Sequence, residues 1–252
     1  MEIQERINAY WSRRADEFGD ARYVDMQGKK KEWWETLIRQ HLPAGEDLRV
    51  LDLGTGGGFF AFILCGLGCR VTAIDYSEDM LRNARENAGK LGFEDIVFCQ
   101  MDAQNLRFED GAFDFIFTRN VTWTLPDPAK AYAEMVRVLA PGGKLMNADA
   151  NYAQAFRQQD AAGVTEKHAQ EDYGGYAHPA RSLAMLRERN DIASSLYIAD
   201  ESRPFWDLQL LSRLGMGRFW VDMDVNRHQF GIEVPQAASL TPEFVLTAEK
   251  TD

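Results

Sequence analysis

The sequence predicts an α/β fold: an open, doubly wound, mostly parallel sheet of seven strands, with helices on both faces. Three observations predict it. Short apolar runs alternate with amphipathic stretches five times from residue 48 to residue 150. The first run, LRVLDLG, is a short apolar run rather than an alternating one, as a strand covered on both faces requires. A glycine cluster also stands where the first run ends and a helix begins.

The elements follow in order. Residues 1–45 read as an amphipathic helical cap rich in aromatics, among them Tyr10, Trp11, Phe18, Tyr23, Trp33 and Trp34. Trp33, Trp34, Leu37 and Ile38 share one helix face, and Leu42-Pro43-Ala44-Gly45 ends it. Residues 46–150 hold the core alternation: LRVLDLG, CRVTAID, IVFCQMD, FDFIFTRN and KLMNADA as strands, with helices between. Ser77 is placed to cap a helix that carries Glu78 and Asp79 in its first turn and Gly92 after its end. Asp127-Pro128 opens another helix, and Pro141-Gly142-Gly143 is expected to stop it. Residues 151–205 break the rhythm and read as an insertion of short helices and loops after the fifth strand. Residues 206–252 return to the core, with a helix near Trp206–Leu214 and two strands, RFWVDMDV and EFVLTAEK. No helical pattern separates these last two, so an antiparallel pairing is open to them.

Composition narrows the function. The 252 residues carry 28 Lys plus Arg against 39 Asp plus Glu, a formal net charge of −11, with 45 % hydrophobic residues. A chain of this length buries a sufficient core without disulfides or metal. Its acidity argues against nucleic acid or an anionic membrane as partner and favours a small-molecule substrate. Cys65, Cys69 and Cys99 are odd in number and make no metal-ligand spacing with His41, His168, His178 and His228, so no metal is expected. The polar N-terminus lacks an apolar signal core, and the longest mostly apolar run, residues 59–69, is too short to span a bilayer. The expectation is a cytoplasmic monomer or homodimer.

Chemistry concentrates at LDLGTGGGFF, residues 51–60. Glycine lets the backbone turn tightly and leaves no Cβ between chain and ligand, and the free N–H groups of the following helix suit an anionic group. Phe59 stands where a dinucleotide fingerprint requires glycine; the spacing is G-x-G-x-G, with Asp52 two residues ahead of it. Asp75 ends the second strand, the position from which a carboxylate meets ribose hydroxyls in nucleotide-binding α/β folds.

Together these features resemble the class I, Rossmann-like S-adenosylmethionine (SAM)-dependent methyltransferases of small-molecule type. The resemblance is firm over residues 48–146 and looser beyond. LDLGTGGG is similar to the family's first motif, AIDYSEDML to its second, QMDAQNL to its third, and FDFIFTRN and LAPGGKL to the two that follow. It implies that Gly54, Thr55, Gly56 and Gly58 approach the methionine and ribose, that Asp52 orients the loop, and that Asp75 binds the ribose. By the same resemblance Tyr76 and Met80 would pack on the adenine, Asp102 with Ala103 would meet its amino edge, and Asn120 would lie near the methionine. Tyr10 and Tyr23 would reach the cofactor carboxylate or line the substrate cavity; anchoring the cap to the sheet is the equal alternative. Asp52, Asp102 and Met80 also have structural readings, as strand-end acceptor, loop cap and core.

Methyl transfer from SAM is an in-line displacement, so holding the reacting atoms in line and excluding water are the protein's main tasks. A hydroxyl or protonated amine also needs a base. The sequence does not identify one: His168, Tyr173, Tyr176 and His178 in the insertion are candidates, and Asp149 and Asn151 follow the fifth strand. Trp123 either walls the pocket or packs beneath its loop, and Arg203 with Asp207 reads as an internal ion pair or an anion clamp, the structural role being favoured. A non-catalytic SAM-binding scaffold and an RNA methyltransferase are the alternatives, the latter disfavoured by charge.

Overall fold

The computed structural model describes residues 2–161, 182–230 and 243–251. Seven strands form one sheet: β1 (Arg49–Leu53), β2 (Arg70–Asp75), β3 (Val97–Gln100), β4 (Phe113–Arg119), β5 (Leu139–Asp149), β6 (Met216–Asp222) and β7 (Phe244–Lys250). Their spatial order is β3-β2-β1-β4-β5-β7-β6. The first five are parallel, while β7 runs antiparallel to both β5 and β6. The C-terminal strands are thus antiparallel, the pairing that the sequence left open, although a short helix over Val225–Phe230, not expected from the sequence, lies between them.

Burial on both faces explains the continuous apolar runs. On one face Val50, Phe115, Phe117 and Met146 pack against α3 (Lys29–His41), α4 (Phe59–Gly66) and α5 (Glu78–Leu91). On the other, Leu51, Leu53, Ile116 and Leu145 meet α6 (Pro128–Val138) and α9 (Phe205–Arg213). Trp34, Leu37 and Ile38 bury the face of α3 that their spacing predicts. Two further cap helices, α1 (Ile3–Ser12) and α2 (Ala15–Asp25), precede it. The described parts of the insertion are α7 (Tyr152–Ala161), α8 (Leu183–Ser195) and a short 3-10 turn, Tyr197–Asp200; α10 (Val225–Phe230) follows β6.

Local signals work as read. Ser77 Oγ accepts from Met80 N at 3.3 Å, and Gly92, at φ 78°, ends α5 in the left-handed conformation. Asp127 accepts from Lys130 N at 2.9 Å, with Pro128 opening α6. One boundary differs. Helix α6 stops at Val138, and Pro141-Gly142-Gly143 lies inside β5 as a bulge, where the pairing jumps from Phe113↔Leu139 to Phe115↔Lys144. Gly142, at φ 72°, lets the extra residues loop out without breaking the strand.

A buried polar network ties the insertion and α9 to the sheet. Asp149, at the end of β5, accepts from Thr122 Oγ1 at 2.6 Å, Trp123 N at 3.0 Å and Arg203 Nη1 at 3.0 Å. Arg203 Nη2 also donates to Asp207 at 2.6 Å, and the Tyr132 hydroxyl donates to the same oxygen at 2.6 Å. Arg203 and Asp207 are therefore the internal ion pair that the sequence suggests. Against the cost of burial, the carboxylates of Asp207 and Asp149 push the Arg203 pKa still higher, so it stays charged. Replacing Arg203 with Met strands two buried carboxylates. Urea unfolding should show a loss of about 3–5 kcal/mol; a loss below about 1 kcal/mol would mean that the network is not ionic.

Candidate functional site

The sheet reverses its winding between β1 and β4, and the residues implied for ligand binding gather at the carboxyl ends of the strands there. After Leu53 the chain hooks sideways: Gly54 N and Thr55 N both donate to the Ile74 carbonyl, at 2.8 and 2.9 Å. Gly56 N then donates to Asp75 Oδ2 at 2.9 Å, and Ser77 N to Asp75 Oδ1 at 2.9 Å. One carboxylate therefore locks the glycine turn to the start of α5. Gly56 holds φ 54°, and a Cβ built on it would meet nothing within 4 Å, so bare backbone borders open space. Gly57 serves another purpose: a Cβ there would sit 2.9 Å from Arg22 Cγ and 3.2 Å from Gly19 Cα, so its bareness admits α2.

Two carboxyls of unlike environment flank this turn. Asp52 is 2 % exposed and points to the α4 side of the sheet, and its Oδ2 has no hydrogen-bond partner. The Thr55 hydroxyl beside it is also buried and has no hydrogen-bond partner. Burial pushes Asp52 up to about 7; the polar Thr55 side chain opposes this, the negative Asp75 adds to it, and the Ala61 amide opposes it. Asp75 is also raised by burial, against the N–H groups of Ser77, Gly56 and Tyr76. Such orphaned oxygens are costly unless a ligand completes them. A cationic group with hydroxyls and an amine fits this donor and acceptor set, and the open side of Gly56 leaves it room.

The other implied residues line the same edge. Tyr76, 39 % exposed, stands on the rim, and Met80 is buried in the first turn of α5. Past β3, Asp102 Oδ1 accepts from Gln104 N at 2.8 Å and Gln104 Nε2 at 3.0 Å, beside buried Ala103. Its loop-cap role is thus real and coexists with any ligand role. Asn120, just past β4, takes the left-handed φ of 56°, and its Oδ1 accepts from the Tyr152 hydroxyl at 3.1 Å.

The two cap tyrosines are corrections. Tyr10 is 2 % exposed, packs against Ile192, Leu196 and Ile198, and its hydroxyl accepts from Arg14. It is an anchor of the cap. Tyr23 lies with Lys90 Nζ 5.8 Å from its ring centroid, at the end of α5 opposite the Ser77 cap, and does not reach the cleft. Asp149, held by Arg203 and Thr122, is not available as a base. His168, Tyr173, Tyr176 and His178 lie outside the described residues. Trp123 packs with Trp11, Tyr152 and Phe156, joining cap to insertion.

Sequence reasoning missed a polar stripe along α1. Gln4 Oε1 accepts from Gln104 at 3.2 Å, Asn8 keeps a buried, unpartnered Oδ1, and Ser12 Oγ meets Ser77 Oγ at 2.8 Å. The i, i+4, i+8 spacing of these three side chains was the available signal. The stripe crosses the strand ends from β3 to β2, so α1 roofs the cleft with polar atoms.

A mixed seven-stranded sheet with a glycine turn after β1 and an acid ending β2 defines the class I methyltransferase fold. The family model described as a methyltransferase domain matches residues 44–192, and the chain belongs to that family. It is 36 % identical over 99 residues to a phosphatidylethanolamine N-methyltransferase of Cereibacter sphaeroides, covering 39 % of this chain and 48 % of the relative. A ubiquinone biosynthesis O-methyltransferase of Caulobacter sp. strain K31 is 36 % identical over 107 residues, covering 42 % of each. The matches thus span about half or less of these relatives' length. Among solved structures, phosphoethanolamine N-methyltransferase 2 of Haemonchus contortus, in complex with SAM, superposes with a TM-score of 0.60 at 18 % identity, over 86 % of this chain and 52 % of that one. Among the described residues no helix is long and apolar enough to cross a membrane.

The raised Asp52 pKa sets a sign for stability. Its native value near 7 lies above the ordinary aspartate value of 3.8, so the native state holds the proton more tightly. The contribution is complete below the unfolded value and is lost as pH rises through about 7. Urea titrations of ligand-free protein between about pH 5 and about pH 8 should show wild type losing stability relative to Asp52→Asn; parallel profiles would refute the shift.

Proposed function

We propose that the chain is a SAM-dependent methyltransferase acting on an N, O, S or C nucleophile of a small molecule, in the cytoplasm, without a nucleic-acid partner. One observation carries the reading: the unpartnered oxygens of Asp52 and Thr55 lie buried beside bare Gly56 backbone and the Asp75 carboxylate. When bound, SAM supplies a methyl carbon already activated by its sulfonium. Asp75 keeps lone pairs beyond its two backbone bonds and would accept from the ribose hydroxyls. Asp52 would ionise opposite positive charge, and Thr55 would complete its hydroxyl against the same ligand. Tyr76 and Met80 would flank the adenine, with Asp102 and Ala103 at its edge. Asn120, fixed by Tyr152, would border the methionine end.

Acceptor binding belongs to the wall beyond Asn120. Trp11, Trp123, Tyr152 and Phe156 form an aromatic cluster that joins cap and insertion there. Such a wall excludes water and orients a partly apolar acceptor. The identities of the relatives, lipid and quinone methyltransferases by name, fit an acceptor of that character.

Calorimetric titration with S-adenosylhomocysteine should show binding, and Asp75→Ala should weaken it about 10- to 100-fold, the loss expected for hydrogen bonds to a charged group. Unchanged affinity would remove the ribose assignment. Titrations near pH 7 in buffers of different ionisation enthalpy should show proton release on binding, lost in Asp52→Asn. Incubation with methyl-labelled SAM and a metabolite extract should give labelled product; binding without product would point to a scaffold.

A further inference from the structure

The corner between α1 and α2 carries a buried cation without a countercharge. Arg14 is 1 % exposed, yet it makes no ion pair among the described residues. Its Nη1 donates to the Tyr10 hydroxyl at 3.3 Å, while Nε and Nη2 have no hydrogen-bond partner. Three aromatic rings enclose it: its Cζ lies 4.6 Å from the Phe18 centroid, 5.5 Å from Trp11 and 5.7 Å from Tyr10. Aromatic faces attract a cation but offer no acceptor for its in-plane N–H groups. A guanidinium this deeply buried with two unpartnered nitrogens is strongly unfavourable unless an anion joins it.

Contacts on either side place this corner over the glycine turn. Two residues before Arg14, Ser12 meets Ser77 at the start of α5. Three residues before it, Trp11 Nε1 donates to Thr124 Oγ1 at 3.4 Å, on the β4 side. Five residues after it, Gly19 closes on Gly57. Arg14 is therefore bracketed by elements that follow β1, β2 and β4, at the edge where Asp52 and Thr55 leave their own orphaned atoms.

From these contacts we infer that Arg14 is the cap's receptor for a carboxylate, namely the α-carboxylate of the methionine chain of SAM and of S-adenosylhomocysteine. This assignment rests on the reading of the cleft as a SAM site. A guanidinium fork matches a carboxylate in two parallel hydrogen bonds, and Nε with Nη2 is one edge of that fork. The positive end of the ligand then falls to Asp52, so the amino-acid zwitterion is met by opposite charges from cap and sheet. Binding would draw the cap onto the core, since the receptor belongs to one and the glycine turn to the other. The role assigned to Tyr10 in the sequence passes to its neighbour one turn on, with Tyr10 as its support.

The test compares three ligands by calorimetry: SAM, S-adenosylhomocysteine, and decarboxylated SAM, which keeps adenosine, sulfonium and amine but lacks the carboxylate. Wild type should favour SAM over its decarboxylated analogue by about 10- to 100-fold. Arg14→Gln and Arg14→Met should bring SAM and S-adenosylhomocysteine down by that factor and leave the decarboxylated analogue unchanged. Without ligand, Arg14→Met should melt at or above the wild-type temperature, because it removes an uncompensated buried charge while filling the aromatic box. Undiminished SAM affinity in the variants would overturn the assignment and leave an acceptor anion as the partner of Arg14. Equal weakening of all three ligands, or a much lower melting temperature of Arg14→Met, would overturn it in favour of a purely structural role. Failure of wild type to bind S-adenosylhomocysteine would instead remove the SAM site itself, and the assignment with it.

Discussion

Between β1 and β4 the chain must leave neighbouring parallel strands toward opposite sides of the sheet, and every feature of the site follows from that reversal. The connections diverge, so the strand ends between them stay uncovered by their own helices and form a crevice. Covering it falls to α1 and α2, which come from before the first strand, and to α7 and α8, which come from after the fifth. Direct parallel pairing sets β1 beside β2, which allows Asp75 to accept from Gly56 and hold the glycine turn.

Charge is distributed across this crevice in an orderly way. Asp75 is bonded to backbone on both oxygens and is structural as well as a candidate ligand. Asp52 is buried, leaves Oδ2 unpartnered, and burial raises its pKa to about 7, so that it exchanges its proton near neutral pH. Arg14 faces this edge from the cap with two unpartnered nitrogens. In a region with little water each such group acts at long range and at high cost, so a ligand bearing both signs of charge gains from all of them together. Nearby, the Asp149–Arg203–Asp207 network shows the opposite condition: buried charges satisfied by one another, fixing β5, Trp123 and α9 without offering chemistry.

The fold was largely legible in the chain because its signals are local. Ser77, Gly92 and Asp127-Pro128 bound helices through contacts within a few residues, and apolar runs buried on both sides demand an internal sheet. The glycine turn and Asp75 were legible for the same reason, since a backbone that needs left-handed φ and a strand-end acid are written at single positions. Pro141-Gly142-Gly143 was misread because a helix stop and a strand bulge use the same residues.

By itself the sequence determined the strand and helix order, the turn at 54–58 and the acids on either side of it, because those depend on hydrogen bonds and burial close along the chain. Only the tertiary structure decided which cap residues meet the crevice. It turned Tyr10 and Tyr23 away, aligned Gln4, Asn8 and Ser12 along the strand ends, and buried Arg14 among three rings. Those outcomes depend on how α1 and α2 lie across strands that begin well beyond them in the chain, at Arg49 and later, and no spacing within the cap records the angle of that crossing.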